Sequence, residues 1–269
     1  MTIAFIGAGN MAISLIRGLL SNGMSVADLI AADPSDAQRA NAKGIGIRTE
    51  ADNNIAISEA DIIVVAVKPQ IAGQVLKSLN TIKGTQLVIS VAAGIGLESL
   101  QSWLPEGQPI VRCMPNTPAL VGAGMTGLYA NDQVKPEHRE AAERVLEAAG
   151  AVVWVPSEGL LDAVTAVSGS GPAYFFLLME YMAKTGTALG LDADTSRMLT
   201  LQTALGAALM AQKSTEPLAN LRQNVTSPGG TTEAAINTML EHGMPEAIES
   251  ALQAAQQRSI QLAKEFGNP

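Results

Sequence analysis

The sequence predicts an α/β fold in which an N-terminal doubly wound sheet precedes an all-α C-terminal domain. Three observations predict this fold. A glycine-rich turn follows the first apolar run, strand-like and helix-like segments alternate through the first half, and runs of β-branched residues disappear from Leu160 onward. We expect the two domains to cover residues 1–157 and 158–269.

The first turn of the chain carries small residues at a spacing typical of dinucleotide-binding folds. The apolar run Ile3–Ile6 predicts a buried strand, and Gly7, Gly9 and Ala12 follow it in the pattern G-x-G-x-x-A. The first glycine allows a tight turn, the second lets a pyrophosphate approach the backbone, and the alanine lets the next helix pack close to the sheet. The N-terminus of that helix offers free N–H groups to the phosphates. These features predict a Rossmann-type domain, with an ordinary glycine-rich turn as the alternative.

The remainder of the first half continues the alternation. Strands are predicted over Ile3–Ile6, Leu29–Ala32, Ile62–Val67, Leu87–Val91 and Ile110–Cys113, with helices between them over Met11–Leu20, Ser35–Lys43, Ile71–Leu79 and Leu97–Leu104. Two further strands at the far edge are predicted over Thr126–Ala130 and Val152–Val155, on either side of a helix over Pro136–Ala149. Such repetition is typical of a parallel sheet with helices on both faces.

Alanine, leucine, methionine and glutamine dominate the second half, as expected of helices. We predict helices over Ala173–Leu189, Asp192–Gln212, Glu233–Glu241 and Pro245–Phe266. Two stretches, Tyr174–Met182 and Met198–Met210, are apolar on most faces, and helices of this kind must be buried. Because a domain of this size has a small interior, we expect a helical dimer interface, with packing on the first domain as the alternative.

Composition and charge exclude several classes of function. The formal net charge of −8 leaves no basic face for nucleic acid. No apolar run approaches the roughly twenty residues of a membrane span, and the chain begins with a strand rather than a targeting segment. Cys113 is the only cysteine, and no histidine or cysteine spacing predicts a metal site. We therefore expect a cytoplasmic protein that binds no membrane, nucleic acid or metal.

Ligands bind doubly wound folds at the carboxyl ends of the strands, and the second strand ends at an informative residue. Asp33 stands where a carboxylate would accept hydrogen bonds from the ribose of NAD, and a turn role before Pro34 is the alternative. Arg39 and Lys43 follow on the next helix and could face the 2′-phosphate of NADP instead.

Three later strand ends carry further candidates. Lys68 is either a neighbour of the cofactor or a solvated residue. The small residues Ala92–Gly94 let a flat ring lie against the backbone. Asn116 lies in the loop Arg112–Pro118, which two prolines fix, and its amide could bond a nicotinamide or a substrate. A purely structural loop is the alternative.

Two motifs of glycines and hydroxyls lie in the helical half, Ser168–Tyr174 and Thr226–Glu233. Each places free N–H groups at a predicted helix start, which suits an anion such as a carboxylate. The alternative for either motif is that its residues only cap the N-terminus of the helix and bind no ligand. No base is evident for oxidising a hydroxyl group, because His138 and His242 lie in polar helical surroundings. Reduction of a C=N bond does not need such a group, because a protonated imine is already electrophilic and can accept hydride at carbon without a strong enzyme acid.

Together these segments resemble the pyrroline-5-carboxylate reductase family. The matching segments are Phe5–Met11, Val67–Gln70, Ala92–Gly94, Arg112–Pro118, Asp162–Tyr174 and Thr226–Thr232. The resemblance implies NAD(P)H-dependent reduction of Δ1-pyrroline-5-carboxylate to L-proline, the last step of proline biosynthesis. It also implies a homodimer or a ring of dimers, whose active sites combine the Rossmann domain with helical segments that include the partner's.

The resemblance also implies site residues. Its cofactor contacts fall on Ile6, Gly7, Ala8, Gly9, Asn10, Met11, Asn53, Ala66, Val67, Lys68, Pro69, Ala92, Ala93, Gly94 and Asn224, to which the strand ends add Asp33, Met114 and Asn116. Its substrate contacts fall on Glu158, Gly230, Thr231 and Thr232. The backbone N–H groups of Gly230–Thr232 would hold the carboxylate, and the Thr232 hydroxyl would face the ring nitrogen as the catalytic group.

The cofactor preference has two readings. The family favours NADP(H), but Asp33 stands where many bacterial members carry a small polar or basic pair, so NAD(H) is the alternative.

Two other functions are alternatives to the reductase. A hydroxy-acid dehydrogenase of similar architecture would carry a lysine early in the first long helix of the second domain, and this chain has none before Lys184. A non-catalytic dinucleotide sensor would not need the intact Gly229–Thr232 loop.

Overall fold

The computed structural model describes residues 1–267, and the first half of the chain forms an eight-stranded sheet. The strands are β1 (Ile3–Ile6), β2 (Leu29–Ala32), β3 (Arg48–Glu50), β4 (Ile62–Val65), β5 (Leu87–Ser90), β6 (Ile110–Met114), β7 (Gly124–Ala130) and β8 (Gly150–Trp154). Their order is β3-β2-β1-β4-β5-β6-β7-β8, and all neighbours are parallel except β6 and β7. The first six strands have the Rossmann order, so the predicted fold class is confirmed.

Helices cover the sheet and make up nearly all of the second half. They are α1 (Asn10–Ser21), α2 (Asp36–Gly44), α3 (Asn53–Ser58), α4 (Pro69–Lys77), α5 (Leu97–Trp103), α6 (Pro136–Glu147), α7 (Leu160–Val164), α8 (Gly171–Ala188), α9 (Ala193–Lys213), α10 (Leu218–Asn224), α11 (Thr231–Glu241) and α12 (Met244–Phe266). Short 3₁₀ turns cover Val26–Asp28 and Thr117–Val121, and a π-helical turn covers Thr165–Gly169.

The structure contains elements that the sequence did not predict, namely β3, α3, α7 and α10. The strand β3 has three residues, Arg-Thr-Glu, and is only partly buried, so it carries no apolar pattern. The helices α3, α7 and α10 have seven residues or fewer, which is too short for a clear helical period. The strand β4 ends at Val65 rather than Val67, because α4 begins two residues earlier than expected, at Pro69.

The core has two halves, one on each face of the sheet. Side chains alternate along β1, so Ile3 and Phe5 face one half while Ala4 and Ile6 face the other. All four residues are fully buried. Burial on both faces explains why the central strands are continuous apolar runs rather than alternating ones.

The described chain divides into two compact units. The first contains residues 1–170 and those from 254 to the last described residue, 267, and the second contains Gly171–Gln253. By packing, residues 158–170 therefore belong with the sheet, whereas the domain boundary at 157/158 stays a prediction. Residues 268 and 269 of the predicted second domain lie outside the described residues.

The second unit pairs α8 with α9. A Cβ at Gly186 would lie 2.2 Å from the Ser196 hydroxyl, which donates to the carbonyl oxygen of Ala183 at 2.7 Å, so the helices approach closely. The apolar side chains that we expected to be buried are exposed within the single chain. Phe175 and Phe176 on α8 are 65% and 62% exposed, and Met198 on α9 is 63% exposed.

Candidate active site

The glycine turn after β1 has the geometry that its spacing predicts. Gly7 has a φ of +95°, and a Cβ there would lie 2.6 Å from the carbonyl oxygen of Ala66, so only glycine fits. Gly9 caps α1, and apart from its chain neighbours Ala8 and Asn10 no residue among 1–267 has an atom within 4 Å of the position its Cβ would take. Ala12, a residue of α1, is fully buried. The backbone beside Gly9 is therefore open to a ligand at the start of a 12-residue helix.

Asp33 lies against this turn. One carboxylate oxygen accepts the N–H of Ala8 at 2.9 Å, and the other accepts the N–H of Ser35 at 2.9 Å. The Arg39 guanidinium donates to the carbonyl oxygen of Asp33 at 2.6 Å and forms an ion pair with Asp36. The turn role considered for Asp33 is thus present, and the charge of Arg39 is already paired within α2.

The segments after β3 and β4 carry the next predicted cofactor residues. Ala66 donates its N–H to the carbonyl oxygen of Ile6 at 2.8 Å, and Val67 is partly buried against the core. Lys68 is exposed and caps α4, with Pro69 at the first helical position. Asn53 is the first residue of α3, a helix that the sequence did not predict.

The segment after β5 approaches the last helix of the first unit. Ala92 is buried, Ala93 is exposed, and Gly94 has a φ of +74°. A Cβ at Gly94 would lie 3.3 Å from the Cβ of Leu262 on α12. Glycine therefore supplies both the turn and the room for this helix.

Asn116 follows β6, and its side-chain amide is bonded to the chain itself. Its Oδ1 accepts the N–H of Met125 at 2.9 Å, and its Nδ2 donates to the carbonyl oxygen and the hydroxyl of Ser168, both at 3.2 Å. The structural alternative considered for Asn116 is therefore present. Met114, the last residue of β6, is partly buried.

The Ser168–Tyr174 motif is not the helix-start anion site that we expected, and this prediction is wrong. Residues 165–169 form a π-helical turn between α7 and α8, and the N–H of Ser170 donates to the carbonyl oxygen of Thr165 at 2.8 Å. Glycine and serine are poor helix formers, so the composition of the motif does not indicate a continuous helix. Contacts with the end of β6 hold the segment helical instead.

The Thr226–Glu233 motif does end at a helix start, because Gly230 caps α11. The N–H groups of Thr231 and Thr232 find no acceptor among residues 1–267. The N–H of Gly230, in contrast, donates to the carbonyl oxygen of Ser227 at 3.0 Å, so its predicted role in holding a carboxylate needs correction. The Glu233 carboxylate accepts the N–H of Gly229 at 2.7 Å.

Asn224 ends α10 in the same unit. Its Nδ2 donates to a carboxylate oxygen of Glu216 at 3.1 Å. Glu216 is an isolated acidic residue before a proline, so no pattern in the sequence singles it out. Thr232 is partly exposed as the second residue of α11.

Glu158 belongs to the first unit, and its carboxylate is bonded within it. Oε1 accepts the Arg112 guanidinium and the N–H of Leu97, both at 2.7 Å. Arg112 is only 8% exposed. The pair lines a cavity of about 590 Å³ together with Ser99, Asp162 and Lys264. Sequence reasoning named Arg112 only as part of a loop and missed this partnership.

Two simple site types find no support in the described residues. Burial raises the pKa of the Cys113 thiol, which donates to the carbonyl oxygen of Ser90, so this cysteine is a small buried residue rather than a nucleophile. Among residues 1–267, no group of three His, Cys, Asp or Glu side chains could hold a metal ion.

In the same residues, no helix has both the length and the apolar character to span a membrane.

Known proteins are similar to this chain along its whole length. Residues 158–262 match the family described as pyrroline-5-carboxylate reductase dimerisation, and residues 2–94 match the one described as NADP oxidoreductase, coenzyme F420-dependent. The pyrroline-5-carboxylate reductase of Pseudomonas aeruginosa is 51% identical over 267 residues, with 98% of each chain covered. The enzyme of Pasteurella multocida is 42% identical over 271 residues, again with 98% of each chain covered.

Solved structures of pyrroline carboxylate reductases are also similar to this chain. A pyrroline-5-carboxylate reductase from Coxiella burnetii is 41% identical with a TM-score of 0.92, covering 97% of this chain and 98% of that one. A pyrroline carboxylate reductase from Plasmodium falciparum, solved with NADP bound, is 30% identical with a TM-score of 0.88, covering 98% of each chain.

Proposed function

The chain belongs to the pyrroline-5-carboxylate reductase family, and we propose the residues with which it reduces Δ1-pyrroline-5-carboxylate to L-proline. Full-length similarity carries this assignment, since the Pseudomonas aeruginosa enzyme is 51% identical over 98% of the chain. The chain is therefore an oxidoreductase that uses a nicotinamide dinucleotide. Neither a hydroxy-acid dehydrogenase nor a non-catalytic sensor is favoured by these relatives.

The residues of the first turn fit a dinucleotide. The open backbone beside Gly9 supports a pyrophosphate site over Gly7–Met11, and so do the N–H groups of Asn10 and Met11, which have no acceptor among residues 1–267. Asn53, Ala66–Pro69 and Asn224 would contribute the other contacts that the family implies. When bound, the reduced nicotinamide supplies the hydride. Ala92–Gly94 and Met114 would give the flat ring its surface, because both segments lie at the carboxyl edge of the sheet.

The start of α11 would hold the substrate carboxylate. The N–H groups of Thr231 and Thr232 have no acceptor among the described residues, and a helix start attracts negative charge. The Thr232 hydroxyl would face the ring nitrogen and orient the imine, which makes it the proposed catalytic group. Gly230 would contribute by ending the loop close to the ligand. The Glu158 carboxylate already accepts hydrogen bonds from Leu97 and Arg112. Glu158 would therefore contribute to substrate binding indirectly, by holding these two residues in place.

The reaction needs orientation more than a strong acid. The carbon of a protonated imine is already electrophilic. Holding this carbon against the hydride donor can therefore supply much of the rate enhancement. Both histidines take part in local hydrogen bonds at helix ends, His138 with the N–H of Lys135 and His242 with the carbonyl oxygen of Thr238. These bonds support a mechanism in which neither histidine acts as the base.

We propose NADP(H) as the preferred cofactor, with NAD(H) as the alternative. The NADP seen in the Plasmodium falciparum relative supports NADP(H), while the Asp33 carboxylate beside Ala8 supports NAD(H). We also propose a homodimer or a ring of dimers in the cytoplasm, without nucleic-acid partners. The dimerisation family match and the exposed apolar side chains of α8 and α9 support self-association.

Initial-rate assays test this proposal. Oxidation of NADPH and of NADH is followed in parallel with Δ1-pyrroline-5-carboxylate, and the product is identified chromatographically as proline. Turnover with either dinucleotide supports the reaction, and the ratio of the two rates decides the cofactor preference. A folded protein that binds a dinucleotide and turns over neither mixture would point to the sensor or to another substrate.

A further inference from the structure

The π-helical turn between α7 and α8 is a feature that the proposed function does not explain. The N–H of Ser170 donates to the carbonyl oxygen of Thr165, five residues earlier, at 2.8 Å. Bonds of this spacing are rare in proteins and occur mostly as single turns, frequently at functional sites. The turn contains the Ser168-Gly169 pair, whose expected role as an anion site is excluded by this geometry.

Asn116 ties the turn to the end of β6. One amide donates to both oxygens of Ser168 at 3.2 Å and accepts the N–H of Met125, the second residue of β7, at 2.9 Å. All polar atoms of this amide therefore have partners in the chain. The loop after β6, the start of β7 and the π-helical turn are fixed relative to one another by a single side chain.

Gly169 leaves the space that the Met114 side chain occupies. A Cβ at Gly169 would lie 2.5 Å from the Met114 Cε and 3.6 Å from its Cγ. The φ of Gly169 is not positive, so the backbone alone does not require glycine here. Because Cε is the free end of a flexible side chain, a methyl group at position 169 would displace the methionine rather than break the fold.

Met114 lies at the edge of the sheet where the fold binds its ligands. Ser90 and Arg112 are the last two residues that pair between the parallel strands β5 and β6. Ala92 lies two residues beyond the end of β5, and Met114 is the last residue of β6, so both lie at the carboxyl ends of these strands. The proposed function has the nicotinamide ring against the same two residues.

We propose that Gly169 and Asn116 are positioning residues that fix the Met114 side chain against the nicotinamide of the bound dinucleotide. The proposal rests on the proposed function for the identity of that ring. Glycine opens the space, the asparagine holds the turn that carries the glycine, and the thioether supplies a polarisable contact to a flat ring. The surface for the ring is thus built before the dinucleotide arrives, which lowers the ordering cost of binding.

A double-variant cycle tests the proposal on the full-length protein. NADPH and NADH are titrated into the wild type, Gly169→Ala, Met114→Ala and the double variant, and Kd is measured by fluorescence. We expect Gly169→Ala to weaken binding about tenfold, which corresponds to about 1.4 kcal/mol, and the double variant to bind no worse than Met114→Ala alone. Gly171→Ala is the matched control, because a Cβ there would meet no atom within 4 Å among residues 1–267 apart from its chain neighbours and the nearby backbone of its own helix.

Methyl NMR supplies a readout that a general loss of stability would not move. The chain has 11 methionines, and comparison with Met114→Ala assigns the Met114 methyl signal after ¹³C-methyl labelling. Gly169→Ala should shift this signal in the free protein and leave most of the others in place. Addition of the better-bound dinucleotide to the wild type should shift the same signal.

Several outcomes would overturn the proposal. One is unchanged dinucleotide affinity in Gly169→Ala, and another is a double variant whose loss equals the sum of the single losses. If Gly169→Ala does not fold, Met114→Ala should restore folding, and failure to do so also contradicts the proposal. Failure of the proposed function looks different, because the wild type would then bind the dinucleotide and show the coupling without reducing Δ1-pyrroline-5-carboxylate.

Discussion

The carboxylate of Glu158 and the guanidinium of Arg112 are 2.7 Å apart, and the same carboxylate oxygen accepts the N–H of Leu97 at 2.7 Å. Three elements meet at this oxygen, because Arg112 lies on β6, Leu97 begins α5 and Glu158 precedes α7. A carboxylate at the first N–H of a helix also interacts favourably with the helix dipole. Glu158 therefore connects the end of the sheet to the segment that leads into the π-helical turn.

The first prediction concerns this pair. Arg112→Leu removes the cation and leaves the Glu158 carboxylate, which is 31% exposed, without its partner. We expect the free energy of unfolding to fall by about 1–3 kcal/mol, measured by chemical denaturation. Glu158→Gln is the comparison, because it keeps an acceptor for Leu97, and it should cost less. A Glu158→Gln protein of unchanged stability but strongly raised KM for the substrate would instead favour direct substrate contact.

The second prediction separates two glycines of the first turn. Gly9→Val should keep the fold, because the space is open and the backbone at Gly9 is extended, yet weaken dinucleotide binding at least tenfold, about 1.4 kcal/mol. Gly7→Val should instead fail to fold stably, since Gly7 has a positive φ and faces the Ala66 carbonyl. Calorimetric titration and thermal unfolding check the two variants. Normal dinucleotide affinity in a folded Gly9→Val protein would contradict the proposal that the pyrophosphate binds at this turn.

The third prediction addresses the proposed catalytic group. Thr232→Ala should lower kcat/KM for Δ1-pyrroline-5-carboxylate by tenfold or more, about 1.4 kcal/mol in the barrier, because the ring nitrogen loses its hydroxyl partner. Thr232→Ser keeps the hydroxyl and should recover most of the rate. Thr238→Ala is the control on the same helix, where the hydroxyl donates to the carbonyl oxygen of Ala234. A near-normal rate for Thr232→Ala would take Thr232 out of the mechanism.

The fourth prediction is a pH dependence at the start of α9. The hydrogen bond from Thr195 lowers the pKa of the Asp192 carboxyl below its ordinary value of 3.8. A lowered folded-state pKa means that the carboxylate stabilises the fold above the ordinary value and that this contribution is lost as the pH falls through the folded pKa. Thermal midpoints between about pH 6 and about pH 3 should therefore fall more steeply for the wild type than for Asp192→Asn, which caps without titrating. Parallel curves for the two proteins would contradict this account.

Local patterns in the sequence predict the parts of the fold that depend on neighbouring residues. The turn at Gly7 and Gly9 follows from three small residues within one strand–turn–helix unit. The short strand β3 has no such pattern. It forms because β2 offers it an edge to pair with, which no window of the sequence contains.

The site depends more on contacts between distant parts of the chain. Glu158 and Arg112 are 46 residues apart in sequence, and Asn116 and Ser168 are 52 apart. Glycine and serine at 168–170 suggest a loop by propensity, but these distant contacts hold the segment in a helical turn. The hydrogen bond from Gly230 to Ser227 likewise depends on the exact path of a tight turn, which composition does not specify.

The transfer of deuterium tests the central claim most directly. The wild type is supplied with Δ1-pyrroline-5-carboxylate and with NADPH or NADH that carries deuterium on one or the other face of the nicotinamide C4, and the proline is weighed by mass spectrometry. The account predicts proline that is one mass unit heavier from one face and unlabelled proline from the other. Unlabelled proline from both faces, or no proline at all, would contradict direct hydride transfer from the nicotinamide to the imine carbon.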